Sequence, residues 1–175
     1  PPAQRFERIA ALCSEMDKPV RREVGELACR AAGLRDQLST LAGTSEALQH
    51  VRQTVWQAAF GDRLDRTAER EDALARTPVL ILGESGTGRT LLARALAASA
   101  PGKWKRSQAS WYPAPYASIQ VRVTPDEWIV EELLGREPAS GSERAGAAEQ
   151  ASGGVLHLHD ADGVSPLVQR FLVRL

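Results

Sequence analysis

Eight consecutive residues, Gly83, Glu84, Ser85, Gly86, Thr87, Gly88, Arg89 and Thr90, have the types and spacing of a phosphate-binding loop, G-x-x-x-x-G-[K]-[ST]. Glycine lets the backbone approach a ligand closely and adopt φ values closed to other residues. Such a loop turns successive N–H groups toward a phosphate, and the helix behind it adds its positive N-terminal end. The expected ligand is ATP or ADP, held mainly by backbone N–H groups of residues 84–90, with Mg²⁺ on the Thr90 hydroxyl. Lysine normally reaches the β- and γ-phosphates from the position that Arg89 holds here. A wide planar guanidinium is no direct substitute for a compact ammonium.

A second group of chemically capable residues lies at His157, His159 and Asp160. On a strand, residues two apart share a face, so the two imidazoles would stand together beside the carboxylate. A His-x-His-Asp set could hold a transition metal. With no third ligand cluster elsewhere, histidines that fill space or meet solvent are the simpler reading. His50 reads as a surface residue, and no Ser-His-Asp or Cys-His motif is present.

Positioning the glycine loop requires a strand before it and a helix after it. Val79 to Leu82 is an apolar run of strand type, and Leu91, Leu92, Ala95 and Leu96 mark one side of a following helix. Tyr116 to Val123 alternates β-branched and polar residues, and Val155 to His159 reads as a buried strand. Thr124, Pro125, Asp126 and Glu127 open a helix running to Leu134, and Ser165 and Pro166 open a final one to Leu175. This order predicts an α/β fold with a parallel sheet and flanking helices. Residues 135–154, with five glycines, read as loop or weak helix.

The N-terminal segment, residues 1–42, reads as a helical linker. Helical periodicity runs over 4–41, and from Val20 the apolar positions Val24, Leu27, Ala31, Leu34, Leu38 and Leu41 step 4-3-4-3-4-3. The seam suits either a dimerising coiled coil or a helix packed on its own domain. Asp17 and Pro19 suit a fresh N-terminus, making this one kinked helix or two. Gly43 ends it, and Thr44 or Ser45 caps another helix carrying Ala47, Leu48, Val51, Val55 and Ala58. Residues 61–77 mix both signs of charge and read as a solvated insertion. Residues 101–115 hold three prolines, three cations and three aromatics and read as a surface loop, although basic-aromatic loops can also grip nucleic acid.

Formal net charge is zero, so no global field favours nucleic acid or an anionic membrane. No apolar run approaches a membrane span, and no signal segment opens the chain. Cys13 and Cys29 read as reduced thiols of a cytoplasmic protein.

From Leu41 to Leu175 the chain resembles the AAA+ domain of bacterial enhancer-binding proteins, the sigma-54 activators. LAGTSEALQHV is similar to the family's opening helix, and GESGTG is its form of the phosphate loop. PDEWIVEELLG, AAEQASGGVLHL and SPLVQRFLVRL resemble three later segments, in the family's order. The resemblance implies a partial AAA+ domain, residues 43–175, in a homo-oligomeric transcriptional regulator, with no membrane contact. It places His159 and Asp160 where the family carries its Walker B Asp-Glu, and Gln120 where an asparagine orients the catalytic glutamate. Histidine is a poor Mg²⁺ ligand, and Asp160 cannot fill both acidic positions. Asp160 is thus the catalytic and second Mg²⁺ candidate, and the expectation is nucleotide binding with inefficient hydrolysis. The competing readings are an active ATPase completed by further segments and a nucleotide-free interaction scaffold. The segment from Gly135 to Gly146 is short and lacks the family's G-A-F-T-G-A, so no sigma-54 contact is expected. The chain stops before the family's sensor strand, arginine finger and lid, and no direct nucleic-acid binding is expected of it.

Overall fold

The computed structural model describes residues 8, 11, 16–61, 78–105, 110–136 and 144–174. The expectations for Ile9 and Cys13, for most of the charged segment 61–77, for the tip of 101–115 and for the interior of 135–146 lie outside them. The chain divides into two compact units, residues 1–114 and 115–175.

In the first unit, α1 spans Lys18–Ser39, with Asp17 at the N-cap and a proline in the first turn. The Asp17 side chain makes no capping hydrogen bond, so the proline's fixed φ defines this start. Helix α2 spans Glu46–Phe60, and the Ser45 hydroxyl accepts from the Leu48 N–H at 3.3 Å. Between them the chain turns through Gly43 at φ 119, a conformation open to glycine. Arg52 locks this turn by donating from Nη2 to the carbonyls of Leu41 at 2.6 Å and Gly43 at 3.2 Å. Helix α3, Arg89–Ser99, follows the glycine loop.

These three helices share one core: Leu34, Leu38 and Leu41 from α1 and its end, Val55, Ala59 and Phe60 from α2, and Ala95 from α3. Leu27 and Ala31 pack against it partly buried, whereas Val20 is exposed. The seam is therefore filled from within the chain from Leu27 onward. Arg30 is buried among these helices, where its Nε donates to the Ser99 carbonyl at 2.6 Å and its guanidinium carbon lies 5.7 Å from the Phe60 ring centre.

Two expectations for this unit are corrected. Residues 78–84 form no strand among the described residues, and Val79, Leu80 and Leu82 are exposed. A strand exists only through its pairing, and apolar periodicity does not supply a neighbour. Residues 101–115, read as a loop, contain an antiparallel ribbon in which β1, Lys103–Lys105, pairs with β2, Ser110–Tyr112.

In the second unit, β3, Tyr116–Gln120, runs parallel to β6, Val155–His159, with Tyr116 opposite Val155 and Gln120 opposite His159. The crossover carries α4, Asp126–Leu134, the short pair β4, Gly135–Arg136, with β5, Arg144–Ala145, and α5, Ala147–Gln150. After β6 come a 3₁₀ turn, Ala161–Gly163, and α6, Pro166–Leu172. The Ser165 hydroxyl accepts from the Val168 N–H at 3.3 Å, making it the cap that its position implies. Ile119, Val121, Ile129, Leu133, Val164 and Val168 form the centre of this unit's core. Strand β3 stops three residues before the expected Val123, which is exposed. The expected parallel sheet with flanking helices is thus present as a two-stranded piece.

Leu34 is fully buried where α1 meets its neighbours. Leu34→Ala is expected to lower the unfolding free energy by about 2–5 kcal/mol in urea denaturation. Ser45→Ala removes one cap and is expected to lower it by about 1 kcal/mol. Equal losses in the two variants would show that the seam is not a packed face.

Candidate functional site

The glycine loop leaves the apolar run at Gly83 and folds back on itself before α3. The Thr87 N–H donates to the Glu84 carbonyl at 3.3 Å, and the Thr87 hydroxyl donates to the same oxygen at 2.8 Å. A Cβ on Gly83 would sit 2.7 Å from the Thr87 hydroxyl oxygen, closer than real Cβ atoms approach. Gly86 and Gly88 have φ 82 and 93, values that L side chains rarely take. Gly88 is the N-cap of α3, and its carbonyl accepts the helix's first bond from the Leu92 N–H at 3.0 Å. The positive end of α3 therefore opens onto residues 84–88.

Glu84, Ser85, Gly86 and Thr87 are exposed, while Gly88, Arg89 and Thr90 are half-buried. Exposed backbone followed by a helix start, with glycines where positive φ or a close hydroxyl disfavours a side chain, suits a phosphate group. Behind the loop, Leu41 approaches Gly88, its Cδ2 lying 3.4 Å from where a Cβ would stand. The seam helix's last apolar residue thus abuts the start of α3.

In the second unit, β6 delivers His157, His159 and Asp160 to one end of the parallel pair. The imidazoles of His157 and His159 share a face, as the period of two requires, with ring centres 4.0 Å apart. The Tyr116 hydroxyl and His157 Nδ1 share a hydrogen bond of 2.8 Å. Asp160 has φ 52 and ψ 50, the one non-glycine residue with positive φ among those described. Its Oδ2 accepts from Gln120 Nε2 at 3.0 Å. Gln120 is itself anchored, since its carbonyl accepts from the Thr124 hydroxyl at 2.6 Å. A left-handed Asp costs about 1–3 kcal/mol, and such strain persists where surroundings over-determine it.

Gln120 and Asp160 are thus brought together by strand register, while the phosphate-loop residues Gly83 to Thr90 belong to the first unit. Among the described residues, no group of three or more His, Cys, Asp or Glu side chains is arranged to hold a metal ion. The donors that suit Mg²⁺ chemically are the Thr90 hydroxyl and the Asp160 carboxylate; His159 offers nitrogen to an ion that prefers oxygen. The structure adds Tyr116, which aromatic-polar strand patterning alone could not distinguish from a core residue.

Several known proteins are similar to this chain. Residues 43–175 match the Sigma-54 interaction domain family. The Nif-specific regulatory protein of Azotobacter vinelandii is 32% identical over 110 residues, 61% of this chain and 19% of that protein. The hydrogenase transcriptional regulatory protein HoxA of Cupriavidus necator is 32% identical over 123 residues, 67% of this chain and 24% of that protein. The HTH-type transcriptional regulatory protein TyrR of Salmonella typhimurium is 31% identical over 105 residues, 60% of this chain and 18% of that protein. The chain spans about a quarter or less of the length of these relatives. No helix among the described residues is long and apolar enough to cross a membrane. With three quarters of its length matched by the family's sequence pattern, and with the glycine loop and parallel strand pair in the family's order, the chain belongs to the Sigma-54 interaction domain family.

Proposed function

We propose that this chain is the nucleotide-binding part of a homo-oligomeric transcriptional regulator, binding ATP or ADP and turning it over poorly. The observation that carries this reading is the cradle of Gly83, Gly86 and Gly88 in front of α3. Backbone N–H groups of residues 84–90 would hold the phosphates, and Arg89 would meet the outer ones with a planar fork rather than a point charge. Mg²⁺, when bound, would neutralise developing charge on the phosphates, and the Thr90 hydroxyl in the first unit and the Asp160 carboxylate in the second are the protein oxygens chemically suited to it. His159 in an acidic position removes one hard donor, and that loss falls on hydrolysis more than on binding.

The Gln120–Asp160 hydrogen bond supports a second reading, an active ATPase. An amide that orients a carboxylate could hold it to polarise an attacking water, so Asp160 would act as the catalytic base. A nucleotide-free scaffold is the third reading, and ligand affinity separates it from the other two. The replacement of the family's G-A-F-T-G-A by a short segment without an aromatic residue supports a domain that does not engage sigma-54.

Titration with ATP should show saturable binding, and Gly88→Val should weaken it at least tenfold, about 1.4 kcal/mol or more. Binding that is absent in the parent chain, or unchanged in the variant, would favour the scaffold. Turnover at saturating MgATP is expected to stay near background, and Arg89→Lys alone should not restore it. A rate of ~1 per second or faster, lost in Asp160→Ala, would establish the active ATPase instead. With ADP–aluminium fluoride bound, the chain is expected not to retain sigma-54 in a pull-down. Retention abolished by deleting residues 137–145 would overturn that part of the proposal.

A further inference from the structure

We propose that the outward faces of α4 and α6 form a two-fold interface between two copies of this chain, each copy's α4 lying on the other's α6. Ile129 and Leu133 of α4 and Val168 of α6 are buried in one core with Ala117 and Ile119, which share a face of β3. Both helices therefore cover the same side of the parallel pair, and they touch each other. Their outer faces look away from that side together. On α4 the outer face carries Glu127, Trp128, Glu131, Glu132 and Leu134, all exposed. Residues three and four apart are neighbours on a helix, so the three carboxylates make one stripe. On α6 and the turn that continues it, Leu167, Arg170 and Arg174 are exposed at the same spacing. Among the described residues Glu127, Glu131, Glu132, Arg170 and Arg174 make no ion pair and no side-chain hydrogen bond.

Charge complementarity identifies the occupant as a second copy. The outer face of α4 holds acids and no base, and that of α6 holds bases and no acid. Stacking each helix on its own counterpart would set like charges against each other. Crossing them about a two-fold axis sets each stripe against its opposite, and every such contact is made twice. Apolar surface lies among these charges: Trp128 is 65% exposed, Leu134 54% and Leu167 43%. Tryptophan is enriched at the centres of interfaces, and the face of an indole attracts a guanidinium. Trp128 is therefore the anchor, with Leu167 and Arg170 of the other copy as the groups suited to cover it. Nine residues of helix are about 13.5 Å long, and two helices side by side are about 20 Å wide. A face of that size belongs with small, transient interfaces, so the dissociation constant is expected on the order of 10–100 µM. This inference rests on the homo-oligomeric part of the proposed function and gives it a surface; it does not rest on nucleotide binding.

The test is sedimentation equilibrium of the chain from about 5 to 500 µM, a range that brackets the expected constant. Monomer and dimer should be in equilibrium, and the dimer should weaken as salt rises from about 50 to 500 mM. Glu131→Arg with Glu132→Arg, and separately Arg170→Glu with Arg174→Glu, should each weaken the dimer at least tenfold, because the two-fold doubles each change. Mixed in equal amounts, the two variants should pair with each other about as tightly as the parent chain pairs with itself, since each now offers the charge that the other lacks. Trp128→Ser should weaken the dimer at least fivefold at every salt concentration. Thermal unfolding of each variant identifies loss of fold; should a reversed pair unfold, Glu131→Gln with Glu132→Gln should still weaken the dimer about threefold or more. An oligomer indifferent to both reversals overturns this surface and leaves the homo-oligomeric reading standing. A chain that is monomeric at about 500 µM overturns both. Reversed variants that fail to pair when mixed, or growth beyond the dimer, reject the two-fold. Titration of the same samples with ATP reads the nucleotide-binding proposal separately.

Discussion

The close crossing of α1 over α3 is the constraint on which the first unit depends. Helix α3 is built from small residues, with Ala93, Ala95 and Ala97 all buried. Three alanines supply little apolar area of their own, so α3 is held by what reaches onto it. Helix α1 comes close enough that a Cβ on Gly33 would stand 3.1 Å from the Ala98 carbonyl oxygen. The larger side chains of Leu34, Leu38 and Phe60 then fill the remaining space. At the far end, Arg30 sets its positive charge against the Ser99 carbonyl, where the helix dipole is negative. The glycine loop at the near end is only as well placed as this helix.

The same constraint joins the upstream segment to the loop. Leu41 both completes the shared core and approaches Gly88, while Arg52 fixes the backbone at Leu41 and Gly43. A displacement of α1 along its axis would have to break those two hydrogen bonds or carry α2 with it. Packed interfaces of this density respond in discrete steps rather than by gradual deformation.

In the second unit, strand register performs the corresponding work. The parallel pairing sets Gln120 opposite His159, which brings the Gln120 amide within reach of the next residue, Asp160. A slip of one residue would turn Gln120 to the other face and bury it in the core of Ile119 and Val121. Asp160 holds its left-handed backbone at the point where β6 gives way to the 3₁₀ turn. Aspartate tolerates that region better than most residues, so the position is compatible with both a turn role and a functional one.

Much of this protein was legible in the sequence because it depends on short-range chemistry. The glycine loop, the Ser45 and Ser165 caps, α4 and α6 each follow from residues within a few positions of one another, where local sterics and hydrogen bonding decide the outcome. The alternation in β3 was likewise readable, because burial imposes its period on the residues themselves; β6 was readable as a strand, but its five residues are half-buried rather than buried as expected. Other features required the tertiary structure. The 4-3 seam could have paired between chains, and only the arrival of α2 and α3 shows Leu34 and Leu38 covered from within. Val79 to Leu82 has strand composition and no ladder among the described residues, because pairing is a property of a neighbour rather than of the segment. The ribbon at 103–112 escaped a loop-like composition because its register is made by cross-strand bonds. The bond between Gln120 and Asp160 joins residues forty positions apart, and contacts at that separation are set by the path of the whole chain between them.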